Sequence, residues 1–262
     1  MTQLRGQVAI VTGGGRGIGR AVAEALAALG ASVVVASRNA PQLDVVVQAI
    51  KKSGGHALAQ TADVSDERQV EELVLATERW VGPASILINN AGTIEPLTPL
   101  ARSDPALWLR NIAVNIGGAY MPTRAVLPGM IERGTGRIVN VIGTAATRPA
   151  RGWTALAASK GGIVQMTRSL ASELVHTGVT VLAYNPGPVD TALQERMRGA
   201  SSDDFELVDE YRDAQRTGRL RAPKDAARVI AYLALPTTHR NGQVLQFDDA
   251  DLARAVEDAL PG

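Results

Sequence analysis

The run Thr12-Gly13-Gly14-Gly15-Arg16-Gly17-Ile18-Gly19 constrains this chain more than any other feature. Before it, Val8-Ala9-Ile10-Val11 reads as a buried strand; after it, Gly19 to Leu29 carries apolar residues at helical spacing and stops at Gly30. Glycines let the backbone turn sharply and bring N–H groups against a pyrophosphate, which then sits at the positive end of the helix. A glycine-rich loop alone is a weak signal. Strand before, helix after and a second strand, Ser32-Val33-Val34-Val35-Ala36, at the right distance make it a dinucleotide-binding unit.

The same alternation continues along the chain. Further strands are expected at Ala57–Thr61, Ile86-Leu87-Ile88, Arg137–Ile142, Val179–Tyr184 and Gln243–Phe247, with helical segments between them. Strands that are apolar on both faces and separated by helices predict a parallel sheet covered on both sides. A chain of 262 residues is long enough to bury one large α/β core, so residues 1–262 read as a single domain. The polar stretch Met197–Arg219 is weakly patterned and reads either as a lid over a ligand, spanning about 192–220, or as a surface excursion.

Composition removes several function classes. The 27 basic and 26 acidic residues leave a net charge of +1 and are scattered, which argues against a nucleic-acid or anionic-membrane surface. With no cysteine there is no disulfide, thiol nucleophile or cysteine-ligated metal. His56, His176 and His239 are far apart and show no ligand spacing, so no metal site is expected. No leader pattern precedes the first strand, and no apolar run approaches the ~18 residues of a membrane span. The expectation is a soluble, cytoplasmic protein.

The Thr-Gly-x-x-x-Gly-x-Gly form of the turn resembles that of the short-chain dehydrogenase/reductase family. The resemblance continues through Asp63-Val64, Asn89-Asn90-Ala91-Gly92, Asn115, Ser159-Lys160 and Asn185-Pro186-Gly187-Pro188-Val189-Asp190-Thr191, from about Leu4 to about Asp248. It implies a single-domain Rossmann fold: a doubly wound parallel sheet of seven strands with helices on both faces. It also implies a nicotinamide cofactor across the carboxyl edge, a small-molecule substrate and a homodimer or homotetramer.

Carried over residue by residue, the resemblance assigns Gly13, Gly17, Ile18 and Gly19 to the pyrophosphate and Asp63 and Val64 to the border of the adenine. Asn90, Ala91 and Gly92 fall on the adenosine side; Pro186, Gly187, Val189 and Thr191 face the nicotinamide. The second strand ends in Ser37-Arg38-Asn39, with no acid to accept bonds from a ribose 2′-hydroxyl. Arg38, with Arg16 in the turn, suits a 2′-phosphate, so NADP(H) is preferred over NAD(H).

The family's proton chemistry uses a tyrosine, a lysine, a serine and an asparagine. Lys160 and Asn115 match the lysine and asparagine, but the serine position falls on Gly143 and the tyrosine position on Leu156. Thr144 is a candidate substitute for the serine, and Thr154 could approach the surroundings of Leu156. Among nearby tyrosines, Tyr120 reads as core packing, while Tyr184 ends a strand and could face the pocket. Arg148 and Arg151 bracket Pro149 in the segment that lines the family's substrate pocket; they could bind an anion or point into solvent. Trp153 could pack on a substrate or at a subunit contact. The reading is an NAD(P)-dependent oxidoreductase of a carbonyl or alcohol compound, with a degenerate active site. The alternatives are a non-redox isomerase or lyase on the same scaffold, or a catalytically silent nucleotide-binding partner or sensor.

Overall fold

Seven short runs rich in valine, isoleucine, leucine and alanine pair side by side: β1 Val8–Thr12, β2 Ser32–Ser37, β3 His56–Thr61, β4 Ile86–Asn89, β5 Gly136–Val141, β6 Val179–Asn185 and β7 Val244–Gln246. The computed structural model describes residues 3–238 and 240–260, so the reading of His239 lies outside the described residues. The strands form one sheet in the order β3-β2-β1-β4-β5-β6-β7, every pair parallel. The chain winds outward from β1 in one direction, then restarts at β4 on its other side. That reversal opens a crevice beyond the carboxyl ends of β1 and β4, where open α/β sheets bind ligands.

Among the described residues, ten α-helices connect and flank the strands: α1 Gly17–Ala28, α2 Ala40–Lys52, α3 Glu67–Val81, α4 Pro105–Ile112, α5 Gly118–Glu132, α6 Thr154–Glu173, α7 Ala192–Arg198, α8 Val208–Arg216, α9 Pro223–Leu233 and α10 Ala250–Ala259. Their starts follow from local chemistry. Asn39 caps α2 by accepting from the Gln42 N–H at 3.0 Å, and Asp66 caps α3 by accepting from Gln69 N–H at 3.1 Å. At the start of α1, Arg16 makes no side-chain cap, so the first N–H groups of that helix are left for another acceptor.

Alternation along β1 shows why the strands are apolar throughout. Ala9 and Val11 pack toward α1, α2, α9 and α10, whereas Ile10 faces the layer built with α3, α5 and α6. β2 and β4 repeat the pattern, with Val33, Val35, Ile86 and Ile88 on one side and Val34 and Leu87 on the other. Each fully buried aliphatic side chain stabilises by about 1.5–3 kcal/mol, so this two-sided burial is the main favourable contribution to the Rossmann-like sheet.

A third apolar cluster lies over the carboxyl edge. Phe205 is fully buried and its ring centroid is 5.2 Å from that of Trp153; Leu207, Val208 and Tyr211 join them. The stretch from α7 to α8 therefore packs on the body of the molecule, although its composition also permitted a surface excursion. Two tyrosines differ from the simplest sequence reading. Tyr120, expected in the core, is 49% exposed on α5. Tyr184 is buried on the α1/α9 side, and its hydroxyl accepts from Arg221 Nη1 at 3.3 Å. No helix among the described residues is long and apolar enough to cross a membrane.

Candidate active site

A cavity of about 550 Å³ runs along the carboxyl edge of the sheet, from the glycine turn to the cluster under α7 and α8. Its floor requires glycine. Gly13 has φ +64°, and a Cβ there would lie 2.8 Å from Asn90 Nδ2. A Cβ on Gly19 would lie 2.3 Å from the Gly13 carbonyl oxygen. Thr12 fastens this turn to the end of β4: its Oγ1 accepts from the Asn90 and Ala91 backbone N–H groups at 3.0 and 3.1 Å. Asn90 adds side-chain N–H bonds to the Thr12 and Gly13 carbonyls, so its carboxamide shapes the turn. The bare start of α1 and the Cβ-free approach to it fit a pyrophosphate.

Beyond Gly15 the lining passes to Arg16, Ser37, Arg38, Asn39 and Gln42. Arg16 and Arg38 both line this cavity. Arg38 is 3.7 Å from the Asp63 carboxylate and its side chain is 69% exposed. Asp63 is held more closely by Arg110, whose Nη2 donates to Oδ2 at 2.7 Å, and by Ser65, whose hydroxyl donates to Oδ1 at 2.6 Å. Burial raises the Asp63 pKa, but the Ser65 and Arg110 hydrogen bonds and the Arg110 charge outweigh it and leave the carboxyl at about 2. Arg110 had no distinguishing sequence signal; only its place on α4 brings it to Asp63.

At the far end, Lys160 and Asn115 come together around Gly92. A Cβ on Gly92 would lie 2.7 Å from Asn115 Oδ1 and 3.6 Å from Lys160 Nζ, so glycine is required for this approach. Asn115 sits in a π-helical turn, Ala113–Gly117, and its Nδ2 donates to the Thr93 carbonyl at 2.9 Å. Its Oδ1 is buried without a hydrogen-bond partner among the described residues. Lys160 Nζ donates to the Val141 carbonyl at 3.1 Å, and burial pulls its pKa down to about 8. Gly143, Thr144 and Leu156 line the same end, with Pro186, Gly187, Val189 and Thr191. Gly143 is extended, at φ −171°, and nothing lies within 4 Å of a Cβ placed on it.

The two arginines read as candidate anion ligands are engaged elsewhere, because loop and helix residues brought over by the fold satisfy them. Arg148 makes a two-pronged ion pair with Glu210, at 2.8 and 2.7 Å. Arg151 donates to the Asp203 and Ser202 carbonyls, both at 3.0 Å. Neither lines the cavity; Trp153 does, from a buried position. Thr154 is also occupied, accepting from Trp108 Nε1 at 3.3 Å. Leu193, Met197 and Tyr211 line the cavity from α7 and α8; they fall in the stretch 192–220 read as lid or surface excursion, but the sequence did not single them out as site residues.

The short chain dehydrogenase family model matches residues 7–201 of this chain. A short chain dehydrogenase of Pseudocercospora fijiensis is 44% identical over 193 residues, 73% of this chain; the match spans 62% of that relative, less than two thirds of its length. A 3-oxoacyl-acyl-carrier-protein reductase of Synechocystis sp. is 35% identical over 251 residues, 95% of this chain and 98% of that one. Among solved structures, an actinorhodin polyketide ketoreductase variant with NADPH is similar at a TM-score of 0.83 and 34% identity, covering 92% of this chain and 95% of that one.

Proposed function

The chain belongs to the short chain dehydrogenase family, and on that premise we propose that it is an NADP(H)-dependent oxidoreductase of a carbonyl or alcohol compound, with its usual proton-handling pair replaced. The carrying observation is that one cavity is lined by the glycine cradle, Arg16 and Arg38 and also by Lys160 and Asn115. NADPH in the related ketoreductase structure supports the cofactor class. When bound, the nicotinamide supplies the hydride chemistry.

The chain's own residues bind and orient. The glycine turn offers backbone N–H groups to the pyrophosphate, and Arg16 and Arg38 offer guanidinium donors to a ribose 2′-phosphate. Lys160, at the floor of the far end, donates from a buried ammonium that can hold a ribose hydroxyl. Leu156 stands four residues before Lys160, on the same face of α6, where the family resemblance asks for a phenol. Its side chain has no proton to give, and Gly143 has no hydroxyl. Thr144, next to Gly143 at the cavity wall, is the candidate for the serine's hydrogen bond. A positioned acid contributes ~10²–10⁴-fold, so loss of the pair leaves orientation intact and proton transfer slow.

One observation favours a silent nucleotide-binding role instead: Leu156 is 5% exposed and packs with the aromatic cluster, as a residue retained for packing would. Titration with NADPH followed by a stoichiometric hydride-transfer assay over a carbonyl panel separates the readings. NADPH binding with consumption by some carbonyl is expected; binding with none consumed would overturn the redox reading. In the same assay, Leu156→Tyr with Gly143→Ser is expected to raise ketone reduction at least ~10²-fold. Room for a side chain at Gly143 makes that substitution unstrained, so an unchanged rate would mean that the two side chains are not what is missing.

A further inference from the structure

Of the four tyrosines in the chain, Tyr211 alone lines the cavity. Tyr120 is exposed on α5, Tyr184 spends its hydroxyl on Arg221, and Tyr232 packs beside the α1/α9 layer. Tyr211 is 9% exposed, with its ring 6.3 Å from Trp153 and 6.1 Å from Phe205 between centroids, in the cluster that contains Leu156. Those contacts fix the ring. Its hydroxyl has no hydrogen-bond partner among the described residues; burial, then the neighbouring Glu210 charge, raise its pKa to about 12, with Arg148 opposing. The oxygen is not among the fully buried unpartnered atoms, so it is reachable from solvent, and an uncommitted O–H on a residue that lines a cavity is a donor available to a ligand. Being neutral across ordinary pH, it remains a donor there.

We propose that the Tyr211 hydroxyl, carried by α8, donates a hydrogen bond to the oxygen of an uncharged carbonyl compound with an apolar, ring-sized body. The proposal rests on the oxidoreductase reading and names the substrate class of that site. The walls around Tyr211 are Ile94, Leu156, Leu193 and Met197, which suit an apolar body. Arg148 and Arg151, the cations that could have selected an anionic substrate, are tied to Glu210 and to backbone carbonyls. In this proposal the phenol that meets the substrate oxygen comes from α8 rather than from α6.

Equilibrium dialysis of the full chain loaded with oxidised NADP tests this without turnover, using 2-acetylnaphthalene, 2-ethylnaphthalene and 2-naphthoate as probes. The ketone is expected to bind about 3- to 10-fold more tightly than the hydrocarbon, the range of one neutral hydrogen bond, and the carboxylate more weakly than the ketone. Tyr211→Phe should erase the ketone preference and leave 2-ethylnaphthalene unchanged. Equal binding of ketone and hydrocarbon, tighter binding of the carboxylate, no binding of either neutral probe, or a preference that survives Tyr211→Phe overturns the proposal. So does an equal loss of both neutral probes, which would mark Tyr211 as structural. The infrared C=O band of the bound ketone gives a reading on the unmutated protein: a shift to lower frequency supports the bond, and an unshifted band overturns it. If oxidised NADP does not bind, the cofactor reading fails separately, and the same probe comparison on the unloaded chain still decides the role of Tyr211.

Discussion

Lys160 places an ammonium group in a setting that holds its pKa near 8, below the 10.5 it has when exposed to water. Between those values the unfolded chain binds more protons than the folded one, so stability rises with pH through that window. Below pH 8 the burial cost is present in full. Lys160→Met is therefore expected to stabilise the unliganded protein at pH 7 by about 1–3 kcal/mol, which for a chain of this size raises Tm by several degrees. The advantage should shrink as pH rises from 8 toward 10.5. Thermal melts of both proteins from pH 7 to 10 check this; a less stable Lys160→Met protein at pH 7 would contradict the burial argument. The lysine's position was legible in the chain, four residues after Leu156, but its lowered pKa comes from burial against groups such as Val141 of β5 and Gly92 after β4, which the local sequence does not specify.

Among elements, α1 and α8 mark opposite ends of what could be read. α1 announces itself through its glycine turn and apolar spacing. α8 does not: Val208, Tyr211 and Ala214 are its buried residues among charged ones, and their burial depends on Trp153 and Phe205 arriving from other segments. Its attachment depends on one further residue, because Arg148 grips Glu210 from the loop before α6. Exposed pairs contribute little, ~0.2–1 kcal/mol, though a two-pronged guanidinium–carboxylate contact belongs to the stronger ones. Arg148→Ala should therefore raise local opening of α8 about 2- to 5-fold, read as faster amide hydrogen exchange across residues 208–216, with α1 unchanged as an internal control. Unchanged exchange in α8 would show that the aromatic cluster alone holds this helix.

Across the whole molecule, the strand reversal between β1 and β4 brings the glycine turn, the end of β2 and the start of α6 to one edge of the sheet. A dinucleotide bound along that edge would join elements from both halves and stabilise the fold by mass action, ~2.7 kcal/mol at a hundredfold excess over Kd. NADPH should therefore raise Tm more than NADH at equal concentration, and Arg38→Ala combined with Arg16→Ala should remove the difference. An equal shift with both nucleotides in the unmutated protein would remove the case for a 2′-phosphate site. By itself the sequence determined the strands, the glycine cradle, the positions of Lys160 and Asn115 and the absence of a hydroxyl at 143 and 156. These are properties of local spacing and of side-chain identity, complete within a few residues. The tertiary structure decided the partners: Arg148 turned to α8 and Arg151 to the loop before it, Arg110 brought to Asp63, and Tyr211 set at the cavity wall in one cluster with Leu156. Each of those contacts joins residues more than 45 positions apart, and no local periodicity encodes where the far side of a folded sheet will bring a side chain.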